Sequence, residues 1–194
     1  KQDFIDAYND GKWIDWIDEV SGNTATTQKY SLSVSSGTEK TKLFASTSYN
    51  REEGLLNNEN LNRYSLRLNL DQQIFSWAKV GFTSNLVYRD LNSGVKNTFT
   101  KSLSAIPLGD ASTEKGEINH EYITGQYSPM SDFIENQYVD NTRSTYLNMS
   151  GYVELTPVKD LTFTSRVNGT LNHSRRGQYW GEKCNANRPS YAGS

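Results

Sequence analysis

The chain of 194 residues contains a single cysteine, Cys184, and only two histidines. One thiol cannot staple a fold, so no disulfide framework organises the protein. Long hydrophobic runs are missing as well. Nothing approaches the roughly 20 consecutive apolar residues of a spanning helix, and the mean hydropathy is −0.74. Membrane helices are thereby excluded, but a β-barrel is not, because only alternate residues of its strands meet lipid. Charge of one sign is also lacking: 20 basic and 22 acidic residues are mixed along the sequence. That balance leaves no footprint for nucleic acid and no charged tail. No basic-then-apolar leader opens at Lys1-Gln2-Asp3-Phe4, so in an exported protein these residues are expected to be internal to a longer precursor.

What the sequence does have is period-two alternation, repeated six times. Tyr64, Leu66, Leu68 and Leu70 alternate with Arg63, Ser65, Arg67, Asn69 and Asp71. Val80, Phe82, Leu86 and Tyr88 do the same with Lys79, Gly81, Thr83, Asn85 and Arg89. Further on, Leu147, Met149, Val153 and Leu155 form one apolar face, and Leu161, Phe163, Val167 and Leu171 another. Two earlier stretches, around Tyr30-Leu32-Val34 and Leu43-Ala45-Thr47-Tyr49, are less clean. Such alternation predicts strands with one apolar and one polar face. Their expected lengths, about 8 to 13 residues, suit the roughly 9–11 residues of a tilted membrane strand better than the 5–6 of a globular one.

The connections alternate too. Short links are expected at 37–40, 73–78 and 156–159, and long polar ones at 51–61, 91–141 and 174–194. Barrels of the outer membrane carry tight periplasmic turns on one rim and long loops on the other. Tyr30, Tyr49, Tyr64 and Tyr88 fall near the long-loop ends, and Phe75, Trp77 and Phe163 near the short-turn ends, as interfacial girdles require. Tyr146 and Phe44 break the parity. The expected fold is therefore an antiparallel transmembrane β-barrel, present in part. Residues 1–25 read as a loop with a short helix, 26–173 as barrel strands interrupted by the loop at 91–141, and 174–194 as an external loop. Trp13–Glu19 and Thr98–Ile106 are the helical candidates.

The stretch from Lys12 to about Leu86 resembles the early barrel of SusC/RagA-type TonB-dependent outer-membrane transporters of the Bacteroidetes. The residues that carry the resemblance are Trp16-Ile17-Asp18-Glu19, the strand and turn from Tyr30 to Lys42, Glu53-Gly54-Leu55-Leu56, the run Arg63 to Asp71, and Trp77-Ala78-Lys79-Val80-Gly81. Glu154-Leu155-Thr156-Pro157 and Val158-Lys159-Asp160-Leu161 are similar to one of that family's periplasmic hairpins. The resemblance covers roughly residues 12–90 and 142–172 and fades in the loops. It implies a plugged barrel of about 22 strands energised through TonB, capped by a SusD-like surface lipoprotein, and importing glycan or peptide cargo. The sequence shows no plug and no TonB-contacting segment, so an early-barrel fragment is expected.

Candidate chemistry is sparse. No Cys or carboxylate cluster surrounds His120 or His173 at metal-ligand spacing, and Cys184 has no basic neighbour to lower its pKa and reads as incidental. Glu52-Glu53 and the series Glu114, Glu117, Glu121 lack the pattern of a calcium loop. Phosphate loops and nucleophile elbows are absent, so no catalytic residue, cofactor or metal is assigned. Three Asn-x-Ser/Thr matches, at Asn148, Asn168 and Asn172, are chance matches in an Asn-rich chain. The candidates that remain are lumen-facing: Arg63, Arg67, Asn69, Asn85, Arg89, Arg166 and Asn168, with Asn62 beside them. They would form a polar wall touching cargo or plug, a merely hydrated wall being the plain alternative. Tyr127, Tyr138, Tyr179 and Trp180 are external-loop candidates for ligand contact. Two other readings stand: a soluble carbohydrate-binding β-sandwich, and a non-energised outer-membrane porin or adhesin barrel.

Overall fold

A computed structural model describes residues 2–22, 24–56 and 58–185. In chain order its elements are helices α1 (Gln2–Asn9) and α2 (Trp16–Ser21), then strands β1 (Thr26–Gly37), β2 (Thr41–Glu53), β3 (Asn60–Phe75) and β4 (Ala78–Asn92). A long excursion follows, holding α3 (Thr98–Ser104), the short pair β5 (Glu121–Ile123) and β6 (Gln126–Tyr127), and a 3-10 turn at Pro129–Phe133. The chain returns through β7 (Tyr138–Val158) and β8 (Leu161–Trp180). Six strands form one antiparallel meander in the order β1-β2-β3-β4-β7-β8.

Register decides which side chains share a face. Tyr30 pairs with Tyr49, Tyr49 with Tyr64 and Tyr64 with Tyr88, so four rings from four strands make one row. Their centroids are 6.4, 4.9 and 6.1 Å apart. One row below, Leu32, Thr47, Leu66, Leu86, Leu147 and Leu171 are aligned across the whole sheet. The apolar face ends at the other rim with Phe75 stacked on Trp77, 5.2 Å between centroids. No second sheet covers this face among the described residues: Leu32 is 70% exposed, Leu66 51% and Val167 74%. A soluble sandwich would bury exactly those side chains between two sheets, so that alternative fails. The face is a lipid-facing band bounded by two aromatic girdles.

The rims differ as alternation of the connections requires. At one rim the links are tight. Thr38 Oγ1 accepts the Lys40 and Thr41 amides at 3.3 and 3.0 Å, and Asp160 takes a left-handed φ of 67° between β7 and β8, a conformation its short polar side chain tolerates. The other rim carries the connections from β2 to β3 and from β4 to β7, together with residues 2–22.

Several expected boundaries are corrected. The strands have 12, 13, 16, 15, 21 and 20 residues; β1 and β2 fall within the 8 to 13 expected, and the other four are longer. The loop placed at 91–141 is shorter at both ends, because β4 runs to Asn92 and β7 begins at Tyr138. The external stretch assigned to 174–194 begins instead after Trp180; residues 186–194 lie outside the described residues. The physical reason is common to all three. Hydrophobic alternation marks only the part of a strand that meets lipid, whereas the hydrogen-bonded ladder continues beyond it with polar residues on both faces. Of the segment Trp13–Glu19, only Trp16 onward is helical: Asp15 caps α2 by accepting the Ile17 and Asp18 amides at 3.0 and 3.1 Å, which stops the helix there.

The hydrophobic core is not in the sheet. It lies at the long-loop rim, where Ala7, Ile14, Trp16 and Val20 from the first 22 residues pack with Val95, Tyr122, Ile123, Met130 and Phe133 from the excursion. Trp16 is its pivot. Its Nε1 donates to the Ile106 carbonyl at 2.9 Å, and its indole meets the Tyr122 ring edge-on at 4.7 Å. The Tyr122 hydroxyl accepts the Ile106 amide at 3.0 Å. Residues 12–14 run against 107–109, with a bridge between Trp13 and Leu108 and an ion pair from Lys12 to Asp110 at 2.9 Å. The result is a packed cap on the barrel rim.

Two outcomes test this arrangement in the full-length protein. Leu66→Arg is expected to cost about 2–4 kcal/mol of stability in lipid vesicles, while Ser65→Arg on the opposite face costs little; denaturant titration of the vesicle-inserted protein reads both. Trp16→Ala is expected to cost the cap roughly 3–5 kcal/mol. Hydrogen exchange should then accelerate at 98–106 and 118–123 and stay slow in the strands.

Candidate functional site

The polar face of the sheet gathers all seven residues expected to line a wall. Arg63 pairs with Arg89 and Asn50, in a row that continues through Lys29 to Ser144 and Ser174. Two rows below, Arg67 pairs with Asn85, and Asn85 with Asn148; the Asn148 amide donates to Thr170 Oγ1 at 2.9 Å. Asn69 and Asn168 share the following row, and Arg166 the one after, beside Tyr152. Period two puts them on one face, and the unbroken ladders keep that parity from β1 to β8. Asn62 is corrected. It sits one residue out of step with Arg63, on the face of the tyrosine row, where its Oδ1 accepts the Tyr49 hydroxyl at 2.8 Å.

Toward the short-turn rim the polar face holds a cluster that the sequence reading missed. The Tyr152 ring lies over Gly81, where any Cβ would run into it. Its hydroxyl donates to Asp71 Oδ1 at 2.5 Å, and the cations of Lys79 and Arg166 stand 5.5 and 5.6 Å from its centre. A ring covering a strand glycine restores the packing that the glycine lacks, and flanking cations add attraction to its π face. The parity of Tyr152, polar-side between Gly151 and Val153, was the available signal.

The external candidates divide. Tyr138, Tyr179 and Trp180 were assigned to loops, but the structure makes them the ends of strands: Tyr138 opens β7 and pairs with Trp180, which closes β8, while Tyr179 just before it lies opposite Val139. Tyr138 packs against the cap core, whereas Tyr179 and Trp180 are exposed. Tyr127 remains within the excursion, its ring 5.1 Å from that of His120.

Cys184 is not incidental. It is buried at 1% exposure, and its thiol donates to Asp132 Oδ1 at 3.0 Å. The other Asp132 oxygen binds the Lys101 ammonium at 2.8 Å, and the Asn185 amide donates to Oδ1 at 2.5 Å. Residues following β8 are thereby latched to the 3-10 turn and α3, with Lys183 N donating to Gln137 Oε1 at 2.8 Å as a further stitch. Burial alone would raise the Asp132 carboxyl. The hydrogen bonds from Cys184, Lys101 and Asn185 outweigh it and hold the group below its ordinary value. No grouping of three metal-ligating side chains occurs among the described residues.

With the two girdles and unequal rims in place, the class is defined: an antiparallel transmembrane β-barrel, present in part, with periplasmic turns and extracellular loops. Comparison with known proteins narrows it. No family model matches the chain. It is 25% identical over 169 residues to a TonB-dependent receptor, P26, of Formosa agariphila, covering 85% of this chain and 17% of that protein. The fold is similar to the RagAB peptide importer in its closed-closed state, with TM-score 0.67 and 22% identity over 86% of this chain and 20% of that one. It is likewise similar to the open-open state, at TM-score 0.68 and 23% identity over 86% and 19%. Over most of its length the chain is thus similar to a barrel segment of a TonB-dependent receptor and shares the fold of the corresponding part of the RagAB importer. It spans about a fifth or less of the relatives it matches, and its open edge strands β1 and β8 are the places where a closed barrel continues.

The latch generates a prediction with a defined pH sign. A carboxyl held below its ordinary value of 3.8 contributes stability that is complete above that value and lost as pH falls through the lower, folded one. At neutral pH the latch is therefore fully formed. Asp132→Ala is expected to cost the cap about 1–3 kcal/mol at pH 7, read as faster hydrogen exchange at 128–133 and 181–185. The difference from wild type should shrink below about pH 4.

Proposed function

We propose that the chain forms part of the wall and outer rim of a TonB-dependent importer for oligomeric nutrients in the outer membrane, with peptide as the favoured cargo and glycan as the other class the family resemblance implies. One observation carries the reading: five ladders keep the aliphatic rows on the lipid side and Arg63, Arg67, Arg89 and Arg166 on the other, while the long connections gather at one rim. The similarity to a protein named a peptide importer supports peptide cargo.

On this reading Arg63, Arg67, Asn69, Asn85, Arg89, Arg166 and Asn168 face the lumen, a water-filled or plugged interior. Tyr179 and Trp180, exposed at the top of the β7–β8 hairpin, and Tyr127 in the cap contact ligand or partner from outside, with Tyr138 holding the hairpin to the cap. A SusD-like lipoprotein sits on the extracellular rim, and TonB acts through a plug in the parent protein. No bond is made or broken by the segment: its relatives carry the names of a receptor and an importer, and its polar groups are arranged as a wall.

Deleting tonB in the source cells is expected to abolish uptake of labelled oligopeptides to the level seen without the transporter gene. Full-length protein should also require detergent for extraction. Its recovery as a clear aqueous monomer would overturn the reading.

A further inference from the structure

The cations of the polar face are not spread evenly. Lys29, Arg63 and Arg89 share one row near the extracellular rim, and Arg67 lies two rows below. Across these three rows no acidic residue occurs, and among the described residues none of the four cations makes an ion pair. The nearest carboxylates along the face are engaged: Glu52 accepts the Asn50 amide at 2.6 Å, and Asp71 accepts the Tyr152 hydroxyl. Like charges in adjacent strands, about 5 Å apart at the backbone, repel one another, so this grouping does not serve the sheet's own stability. The contrast with the rest of the molecule is plain, because Arg51, Arg143 and Arg176, outside these rows, each pair with a carboxylate.

Between the cations the wall is hydroxylic. Ser31, Ser48 and Ser65 form the intervening row, with Ser33 and Ser46 beyond it. Small side chains here leave a depression of about 400 Å³ bordered by Lys29, Arg63 and Arg67, large enough for a few residues of a ligand. No aromatic ring lines it. A sugar ring is typically held by an aromatic plate, which is missing; guanidinium forks and hydroxyl donors match carboxylates instead.

Resting on the importer reading, we propose that this seryl-arginyl depression binds the carboxylates of acidic peptides on their way through the barrel. Lys29, Arg63 and Arg67 make the charged contacts, the serine hydroxyls fill the remaining acceptor positions, and Arg89 adds to the positive potential that draws the anion in. The cargo preferred by the parent transporter is then a peptide rich in Asp and Glu.

The test uses the full-length transporter in detergent, with equilibrium binding of tetraglutamate, tetraalanine and trigalacturonate. Tetraglutamate is expected to bind at least tenfold more tightly than tetraalanine, and to weaken as sodium chloride screens the contact. Arg63→Gln combined with Arg67→Gln should weaken it by roughly tenfold or more, while Arg63→Lys with Arg67→Lys retains most of it. Ser48→Asp, which removes no cation but adds a carboxylate to the depression, should weaken it comparably and serves if the glutamine pair does not fold. Arg143→Gln, on the opposite face, should leave it unchanged. Equal binding of both peptides, or tetraglutamate binding indifferent to these substitutions, overturns the inference and leaves the peptide-importer reading standing. Binding of trigalacturonate alone overturns both in favour of an acidic glycan. Binding of none of the three overturns the site.

Discussion

In hydrocarbon no water is available to a backbone amide or carbonyl, so each must find its partner on a neighbouring strand. This constraint organises the sheet. It is met by ladders that run without a break through the centre of every strand pair, the register shifting only near the short-turn rim, between Gln73 and Phe75 and between Leu155 and Val158. Because a one-residue slip would send each leucine inward and each arginine into lipid, satisfying the backbone also fixes the side-chain faces. The rows of tyrosine, leucine and arginine are consequences of that single register.

The same constraint explains why the sheet contains almost no core. Its two faces are both exposed in the isolated chain, one made for lipid and one for a wet interior, so burial contributes little between them. Conventional hydrophobic packing is displaced to the rim, where water is present and loops must be held. There Trp16 and Tyr122 join the first 22 residues to the excursion, and Asp132 ties in the residues after β8 through Lys101 and Cys184. One chain thus folds under two solvents: a lipid-facing register below the tyrosine row, and a water-exposed cap with an ordinary core above it.

Charge follows the same division. The chain is nearly neutral as a whole, with a net charge of −2, yet three successive rows of its polar face carry cations and no acidic residue. Paired charges outside those rows hold rim and cap together, while the unpaired ones stand on the face turned away from lipid. Separation on this scale requires the sheet, because Lys29, Arg63 and Arg89 are neighbours only through pairing.

Period-two alternation was legible because lipid imposes it residue by residue: the faces, the six strands, the tyrosine row and the rim at which long loops gather all follow from local pattern. The family resemblance rested on those same strands. Strand ends were not legible, since above the membrane the ladder persists while both faces turn polar, and the alternation that marks a strand vanishes. Asn62 was misplaced for that reason, lying just beyond the tyrosines where a polar residue on the outer face costs nothing. The cap, the Cys184–Asp132 latch and the Tyr152 cover over Gly81 join residues 52 to 90 and more positions apart. Only tertiary structure could bring those together, because contacts across such separations are set by the closing of loops and the pairing of strands, which no local periodicity records.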